Sequence, residues 1–131
     1  MGNIYGIHHV SLKCCGAAEF EETIRFYRDV LGLTVKRTWG QGTEAGAMLD
    51  TGSGRMEIFA NGEKRLPQGA VRHIAFAVCD VDSLVAAVRA AGYEIQVEPK
   101  DIVIASEPEF PARIAFCIGP VGEQIELFQE T

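Results

Sequence analysis

Basic residues are scarce in this sequence, and long apolar runs are absent from it. The 131 residues carry 12 Lys and Arg against 18 Asp and Glu, a formal net charge of −6 at pH 7. A protein that binds the phosphate backbone of nucleic acid presents a basic face, so this balance argues against a nucleic-acid partner. No apolar stretch approaches membrane-spanning length, and no N-terminal run resembles a signal peptide. We therefore expect a cytoplasmic protein with no membrane partner.

Cysteine pairs at metal-binding spacing are also missing. The four cysteines are Cys14, Cys15, Cys79 and Cys117, and no two of them form a C-x-x-C pair. The adjacent Cys14 and Cys15 cannot easily bridge each other. We therefore expect reduced, mostly buried thiols in strands rather than a disulfide or a zinc–thiolate site.

Two amphipathic segments of helical period divide the rest of the chain. The first runs from about Glu19 to Leu31 and is followed by Gly32, a residue that favours a helix stop. The second runs from about Val81 to Ala91, with an aspartate before it as N-cap and a glycine after it. Both segments predict helices that bury one apolar stripe.

One strand-like segment precedes each helix, and three follow it. The predicted strands are Tyr5–Lys13, Leu33–Trp39, Ala45–Asp50 and Arg55–Ala60, then Ala70–Val78, Tyr93–Val97 or on to Ile104, Arg113–Ile118 and Gln124–Phe128. The order βαβββ therefore occurs twice, which predicts an α+β fold of two tandem modules within one domain, residues 1–131. Module 1 spans about residues 4–61, a polar linker covers 62–69, and module 2 spans about 70–130.

The repeat places the same two polar side chains at equivalent points. The first strands read "GIHHVSL" and "VRHIAFAV", and the last strands read "RMEIFAN" and "EQIELFQ". His9 and Glu57 thus open and close module 1, as His73 and Glu126 do module 2. Side chains alternate across a strand, so each falls on the face opposite the large aliphatic residues. A mid-strand carboxylate is costly to bury without a partner. We expect these four side chains to bind one divalent metal ion, since His and Glu are ordinary ligands of Zn²⁺, Ni²⁺, Co²⁺, Mn²⁺ and Fe²⁺.

Simpler interpretations exist for each residue alone. A single strand histidine is commonly a hydrogen-bonded core residue, and a single glutamate commonly lies in solvent or at an edge. His8, which alternates with His9, falls on the helix-facing side with Val10 and Leu12. We expect His8 to pack there or to hydrogen-bond a metal ligand.

The paired modules resemble the vicinal oxygen chelate superfamily over nearly the whole chain. The segment "IRFYRDVLGLTV" is similar to that superfamily's helix-to-strand signature, and "IELFQ" to its closing strand. The His/Glu/His/Glu set resembles glyoxalase I. The resemblance implies a lyase that isomerises a methylglyoxal–thiol hemithioacetal to the hydroxyacyl thioester through a metal-bound enediolate. The metal would be Ni, Co or Zn, with Mn or Fe as further candidates, and Glu126 or its counterpart Glu57 would be the base, of which we favour Glu126.

Two further positions match glyoxalase I. Lys13 and Asn61 stand four residues after His9 and Glu57, where that family has contacts to the glutathione carboxylate. The chain departs from bacterial enzymes in the segment "VIASEPEFPARIAF", which lacks their Gly-rich basic run. Lys100 and Arg113 flank this segment, as replacement anion contacts or as solvated charges.

The resemblance leaves other functions open. Methylmalonyl-CoA epimerase shares the geometry but usually has Gln in place of Glu57. Extradiol dioxygenases and fosfomycin-resistance proteins use two His and one Glu, and bleomycin-binding members hold no metal. A non-catalytic metal- or small-molecule-binding protein of the same fold is therefore a further alternative. The resemblance also implies a homodimer whose metal sites are shared between chains.

Overall fold

The order of secondary-structure elements repeats across two halves of the chain. A computed structural model describes residues 2–131. The first half contains β1 (His9–Lys13), α1 (Ala17–Arg25), β2 (Thr34–Trp39), β3 (Gly46–Asp50) and β4 (Arg55–Phe59); a π-helical turn, Phe26–Val30, extends α1, and a 3₁₀ turn, Gly42–Glu44, precedes β3. The second half contains β5 (Ile74–Ala77), α2 (Val81–Ala90), β6 (Ile95–Ile104), β7 (Phe110–Ile118) and β8 (Gln124–Glu130). This confirms the predicted α+β fold of two βαβββ modules.

Contacts along the chain divide it into two compact units, Met1–Leu66 and Pro67–Thr131. Each unit holds one four-stranded sheet, in the order β1-β4-β3-β2 and β5-β8-β7-β6. The first and last strands of each unit are parallel neighbours, and the other pairs are antiparallel. The expectation of a single folded domain stays a prediction.

The aliphatic face of each sheet is buried, as the alternation predicts. On β4, Met56 and Ile58 are buried, whereas Glu57 between them is only partly covered. On β8, Ile125 and Leu127 are buried, and Glu126 between them is 9% exposed. Full burial of such side chains stabilises a fold by roughly 1.5–3 kcal/mol each. These residues, together with one stripe of each helix, form the cores of the two units.

The first helix differs from its prediction over its last turn. α1 ends at Arg25 and continues as the π-helical turn, in which Leu31 N–H donates to the Phe26 carbonyl at 3.0 Å. The extra residue in this turn brings the adjacent Phe26 and Tyr27 into the core, with ring centroids 5.1 Å apart. Gly32 follows at φ +82, the conformation expected of a helix stop.

The second helix agrees closely with its prediction. The Asp80 side chain accepts a hydrogen bond from Ser83 N–H at 3.1 Å, which confirms the N-cap. Gly92 follows the helix at φ +90.

The cysteines are free thiols, as expected, but only half of them are buried. Cys14 and Cys117 are buried, Cys15 is partly covered and Cys79 is exposed. Burial raises the pKa of the Cys117 thiol to about 11. The expectation of mostly buried thiols was therefore wrong for Cys79, which follows β5 on the surface.

Candidate metal centre

Each unit contains one histidine–glutamate pair in direct contact. Nε2 of His9 lies 3.4 Å from Oε1 of Glu57, and Nε2 of His73 lies 3.2 Å from Oε1 of Glu126. The two imidazoles are 38% and 39% exposed, and the two carboxylates are 18% and 12% exposed. The two pairs therefore share their geometry, and the Glu126 carboxylate is better covered than that of Glu57.

The parallel pairing of first and last strands produces these contacts. In the first unit Ser11, two residues after His9, pairs with Glu57 across β1 and β4. In the second unit Ala75 pairs with Glu126 across β5 and β8 in the same register. Because side chains two positions apart share a face, each histidine and its glutamate point to the same side of the sheet.

The spacing within each pair suits two ligands of one metal ion. Donor atoms about 2.0–2.2 Å from a common ion and about 90–109° apart lie roughly 2.8–3.6 Å from each other. The observed 3.4 and 3.2 Å match that separation, and neutral imidazole with carboxylate is a common donor set. Within residues 2–131, no group of three or more His, Cys, Asp or Glu side chains is placed to hold one ion. Each pair thus offers two donors, and a four-donor site requires both pairs.

The two histidines are held by different neighbours. Nδ1 of His9 lies 2.9 Å from Nδ1 of His8. The ring of His73 instead meets the ring of Phe116 edge-on, with centroids 5.5 Å apart and planes at 90°. Arg72, the counterpart of His8, donates to the side-chain oxygen of Gln68 at 2.8 Å.

The structure decides between the two expectations for His8. Its side chain is exposed and precedes the first residue of β1, so the expectation that it packs toward the helix was wrong. β1 begins at His9, four residues after the predicted start at Tyr5, so His8 lies outside the strand. The expectation of a hydrogen bond to His9 is met.

Lys13 and Asn61 lie at one end of the first sheet. Lys13 is exposed, closes β1 and pairs with Phe59. Asn61 is exposed and forms an isolated bridge with Cys15, two residues beyond Lys13. Their placement on the sheet face of Glu57 follows from the register, and their role in substrate binding stays a prediction.

Arg113 binds two carboxylates of its own unit. Its Nε and Nη2 donate to the two carboxylate oxygens of Asp82 at 2.7 and 2.9 Å, and its Nη1 donates to Asp101 at 3.2 Å. This guanidinium holds the pKa of Asp82 below its usual value of 3.8. Arg113 therefore lies in β7 rather than in a loop, and its side chain ties α2 to β6 and β7 through two carboxylates of its own unit. A role as an anion contact stays a prediction. Lys100 is exposed on β6.

Residues of the central strands complete the two site faces. Met48 pairs with Glu57 in the first sheet, and Phe116 pairs with Glu126 in the second. Phe116 was not predicted to lie on the site face. The alternation along β7 could have predicted this position, since Phe116 falls on the opposite side from the buried Ala115 and Cys117.

Aromatic pairs flank both sites further along the sheets. Trp39 and Phe59 have ring centroids 6.0 Å apart in the first unit, and Phe110 and Phe128 have theirs 5.5 Å apart in the second. Phe59 and Phe128 each follow a site glutamate by two residues, so they lie on the same strand face as Glu57 and Glu126. Trp39 was not expected, because a register shift between Val35 and Arg37 changes the alternation of β2.

The family follows from a comparison with known protein families. A family model described as the Glyoxalase/Bleomycin resistance protein/Dioxygenase superfamily matches residues 6–110. The chain therefore belongs to this superfamily, which confirms the resemblance drawn from its motifs. No curated protein sequence matches the chain significantly.

Solved structures share the fold over most of their length. The trypanothione-dependent glyoxalase I of Leishmania major is 26% identical, with a TM-score of 0.68 over 92% of this chain and 84% of that one. A glyoxalase family protein from Enterococcus faecalis is also 26% identical, with a TM-score of 0.68 over 95% and 97% of the two chains. TnmS3, an antibiotic-binding protein from Streptomyces, covers 100% of both chains with a TM-score of 0.73 at 17% identity, a likeness that shows the fold alone.

Membrane insertion through a helix has no support here. Neither helix in the described part of the chain combines the length and the apolar character needed to cross a bilayer.

Proposed function

We propose that this protein is a metal-dependent glyoxalase I-like lyase. It would isomerise the hemithioacetal of methylglyoxal and a thiol to the hydroxyacyl thioester. The observation that carries the proposal is the repeated His–Glu pair, 3.4 Å in one unit and 3.2 Å in the other, on equivalent sheet positions. Family membership and the two glyoxalase neighbours at 26% identity support the same reaction class.

His9, Glu57, His73 and Glu126 would hold the divalent metal. The ion would be Ni²⁺, Co²⁺ or Zn²⁺, with Mn²⁺ or Fe²⁺ as alternatives. When bound, it supplies Lewis-acid polarisation of the substrate oxygens, which acidifies the neighbouring C–H bond. Because each unit supplies only two of the donors, both pairs are needed for one site.

Glu126 would act as the base. Its carboxylate takes the proton from C1, the electron pair of that C–H bond forms a C1–C2 double bond, and the carbonyl electron pair moves to the C2 oxygen. The same carboxyl returns the proton to C2 while the proton of the C1 hydroxyl passes to the C2 oxygen, which leaves the thioester carbonyl at C1 and a hydroxyl at C2. A base that does both steps must keep its proton from exchanging with water. At 12% exposed, the Glu126 side chain is better shielded than that of Glu57 at 18%, and Phe116 lies opposite it.

Lys13 and Asn61 would bind the anionic end of the thiol. Lys13 is exposed and carries a positive charge on the face of Glu57, so it attracts a carboxylate without having to be buried. Asn61 can add amide hydrogen bonds from the same end of the sheet. The homologous enzyme of Leishmania major depends on trypanothione, so both glutathione and trypanothione are reasonable cosubstrates to test.

The experiment measures metal binding and turnover on the same preparation. The protein is stripped with a chelator, reloaded separately with Ni²⁺, Co²⁺, Zn²⁺, Mn²⁺ or Fe²⁺, and assayed for thioester formation from methylglyoxal with each thiol. We expect stoichiometric metal binding and turnover with at least one metal. Metal binding without turnover in every combination would contradict the lyase, and epimerisation of methylmalonyl-CoA would then identify the alternative enzyme. Binding of a small molecule without either reaction would identify a non-catalytic protein.

A further inference from the structure

His8 is the one histidine outside the two His–Glu pairs, and it contacts His9 directly. The two Nδ1 atoms are 2.9 Å apart, and the rings meet edge-on at a centroid distance of 5.1 Å. Two ring nitrogens at this distance form a hydrogen bond in which one donates and the other accepts. The side chain of His8 is exposed, so its contact with His9 is not a by-product of core packing.

The direction of this hydrogen bond matters for Nε2 of His9. That nitrogen faces the Glu57 carboxylate at 3.4 Å and is the atom available to a metal. A neutral imidazole that gives its Nε2 lone pair to a metal carries its proton on Nδ1. In that state Nδ1–H of His9 can donate to Nδ1 of His8, provided that His8 holds its own proton on Nε2.

We propose that His8 is a positioning residue for the first pair. It accepts a hydrogen bond from His9 and so fixes the tautomer and the ring orientation that direct Nε2 toward the metal beside Glu57. Carboxylates and backbone carbonyls commonly serve metal-bound histidines in this way, and here a second imidazole takes that place. The inference rests on the proposed metal site.

The second pair lacks an equivalent support. Arg72 stands where His8 stands in the first unit, but its guanidinium donates to the side chain of Gln68 and the carbonyl of Gly69. Among residues 2–131, no hydrogen bond to Nδ1 of His73 is seen, and its ring rests against Phe116. The effect of His8 is therefore specific to the first unit, and Arg72 supplies a matched control position.

Zinc affinity of the purified protein tests this role. Competition with a chromophoric chelator would compare the wild type with His8→Phe, His8→Gln and Arg72→Gln. His8→Phe keeps a flat ring but has no acceptor, so we expect zinc affinity to fall about 10-fold or more. The Gln carbonyl can accept, so His8→Gln should recover most of that loss. Arg72→Gln should leave the affinity unchanged.

Proton NMR of the zinc-loaded protein provides a readout of the hydrogen bond itself. In the wild type and in His8→Gln, Nδ1–H of His9 should give a resonance protected from exchange with water. In His8→Phe the proton should exchange rapidly. Thermal midpoints should agree among the variants because His8 is exposed. His8→Ala has no ring and no acceptor, so it should show the same loss as His8→Phe, which excludes a disturbance by the Phe ring as the cause.

The outcomes separate this inference from the proposed function. If the wild type binds zinc and His8→Phe and His8→Ala bind it equally well, the positioning role is wrong while the metal site stands. If Arg72→Gln lowers zinc affinity as much as His8→Phe does, any change at the residue before a metal-binding histidine has this effect, and the specific role of His8 is wrong. If the wild type binds none of the five metals, the proposed metal site and this inference both fail.

Discussion

Nε2 of His73 lies 3.2 Å from Oε1 of Glu126, and the ring of Phe116 meets the same imidazole at right angles. Glu126 is also the residue that pairs with Phe116 across β7 and β8. One aromatic side chain thus borders both members of the pair. The Glu126 side chain is 12% exposed, whereas that of Glu57, which pairs with Met48, is 18% exposed. Two chemically identical carboxylates therefore have different surroundings.

Substitution of the two glutamates should separate the base from its counterpart. Glu126→Gln removes the group that accepts the C1 proton, so we expect kcat to fall by about 10²–10⁴-fold. Glu57→Gln should lower metal affinity and reduce turnover less once the metal is saturating. Steady-state kinetics with measured metal content would compare them. Retained activity in Glu126→Gln, with loss in Glu57→Gln, would reverse the assignment.

Removal of the Lys13 charge should weaken thiol binding and leave the chemistry intact. We expect Lys13→Ala to raise KM for the thiol hemithioacetal about 10-fold with little change in kcat, the signature of lost uniform binding. High salt should reduce the difference from the wild type because exposed charges are screened. Lys64→Ala, on an exposed residue after β4, serves as the control. An equal effect of the two substitutions would contradict a specific contact.

Mixing two inactive variants should test whether the metal site is shared between chains. His9→Ala disables the first pair, and His73→Ala disables the second. If each site takes one pair from each of two chains, a mixed dimer contains one site with both pairs intact and one with neither. We expect activity to return after the two variants are unfolded and refolded together. No recovery in a mixture shown to contain mixed dimers would contradict the shared site.

The two His–Glu contacts could be predicted because the repeat and the alternation were independent signals. Equivalent positions in two βαβββ modules selected His9 over its neighbour, and the parallel pairing of first and last strands brings it to Glu57. Within each strand the face of a side chain follows from period two. Fold and candidate pairs were therefore accessible from the sequence alone.

Features set by irregular backbone could not be predicted in this way. The π-helical turn after Arg25 buries Phe26 as well as Tyr27. The periodicity of a regular α-helix does not predict such a turn. The register shift in β2 brings Trp39 to Phe59. The partners of Arg113 were hidden because Asp82 lies 31 residues away in the sequence. A long-range ion pair leaves no local sequence pattern, because a charged residue has the same sequence neighbours whether or not its side chain has a partner.

The ion pair between Asp82 and Arg113 should make stability of the second unit depend on pH. Two hydrogen bonds from Arg113, at 2.7 and 2.9 Å, hold the pKa of Asp82 below its usual 3.8. A carboxyl whose pKa is lowered by folding stabilises the fold above its unfolded value and loses that contribution as pH falls through its folded value. At pH 7 we therefore expect Asp82→Asn to melt at a modestly lower temperature than the wild type, with the gap closing as pH drops below about 3.8. Thermal melts of Asp82→Asn, Arg113→Gln and the double variant across this range would check it. If the two single losses simply add in the double variant at pH 7, the two side chains do not interact and the ion pair contributes nothing to stability.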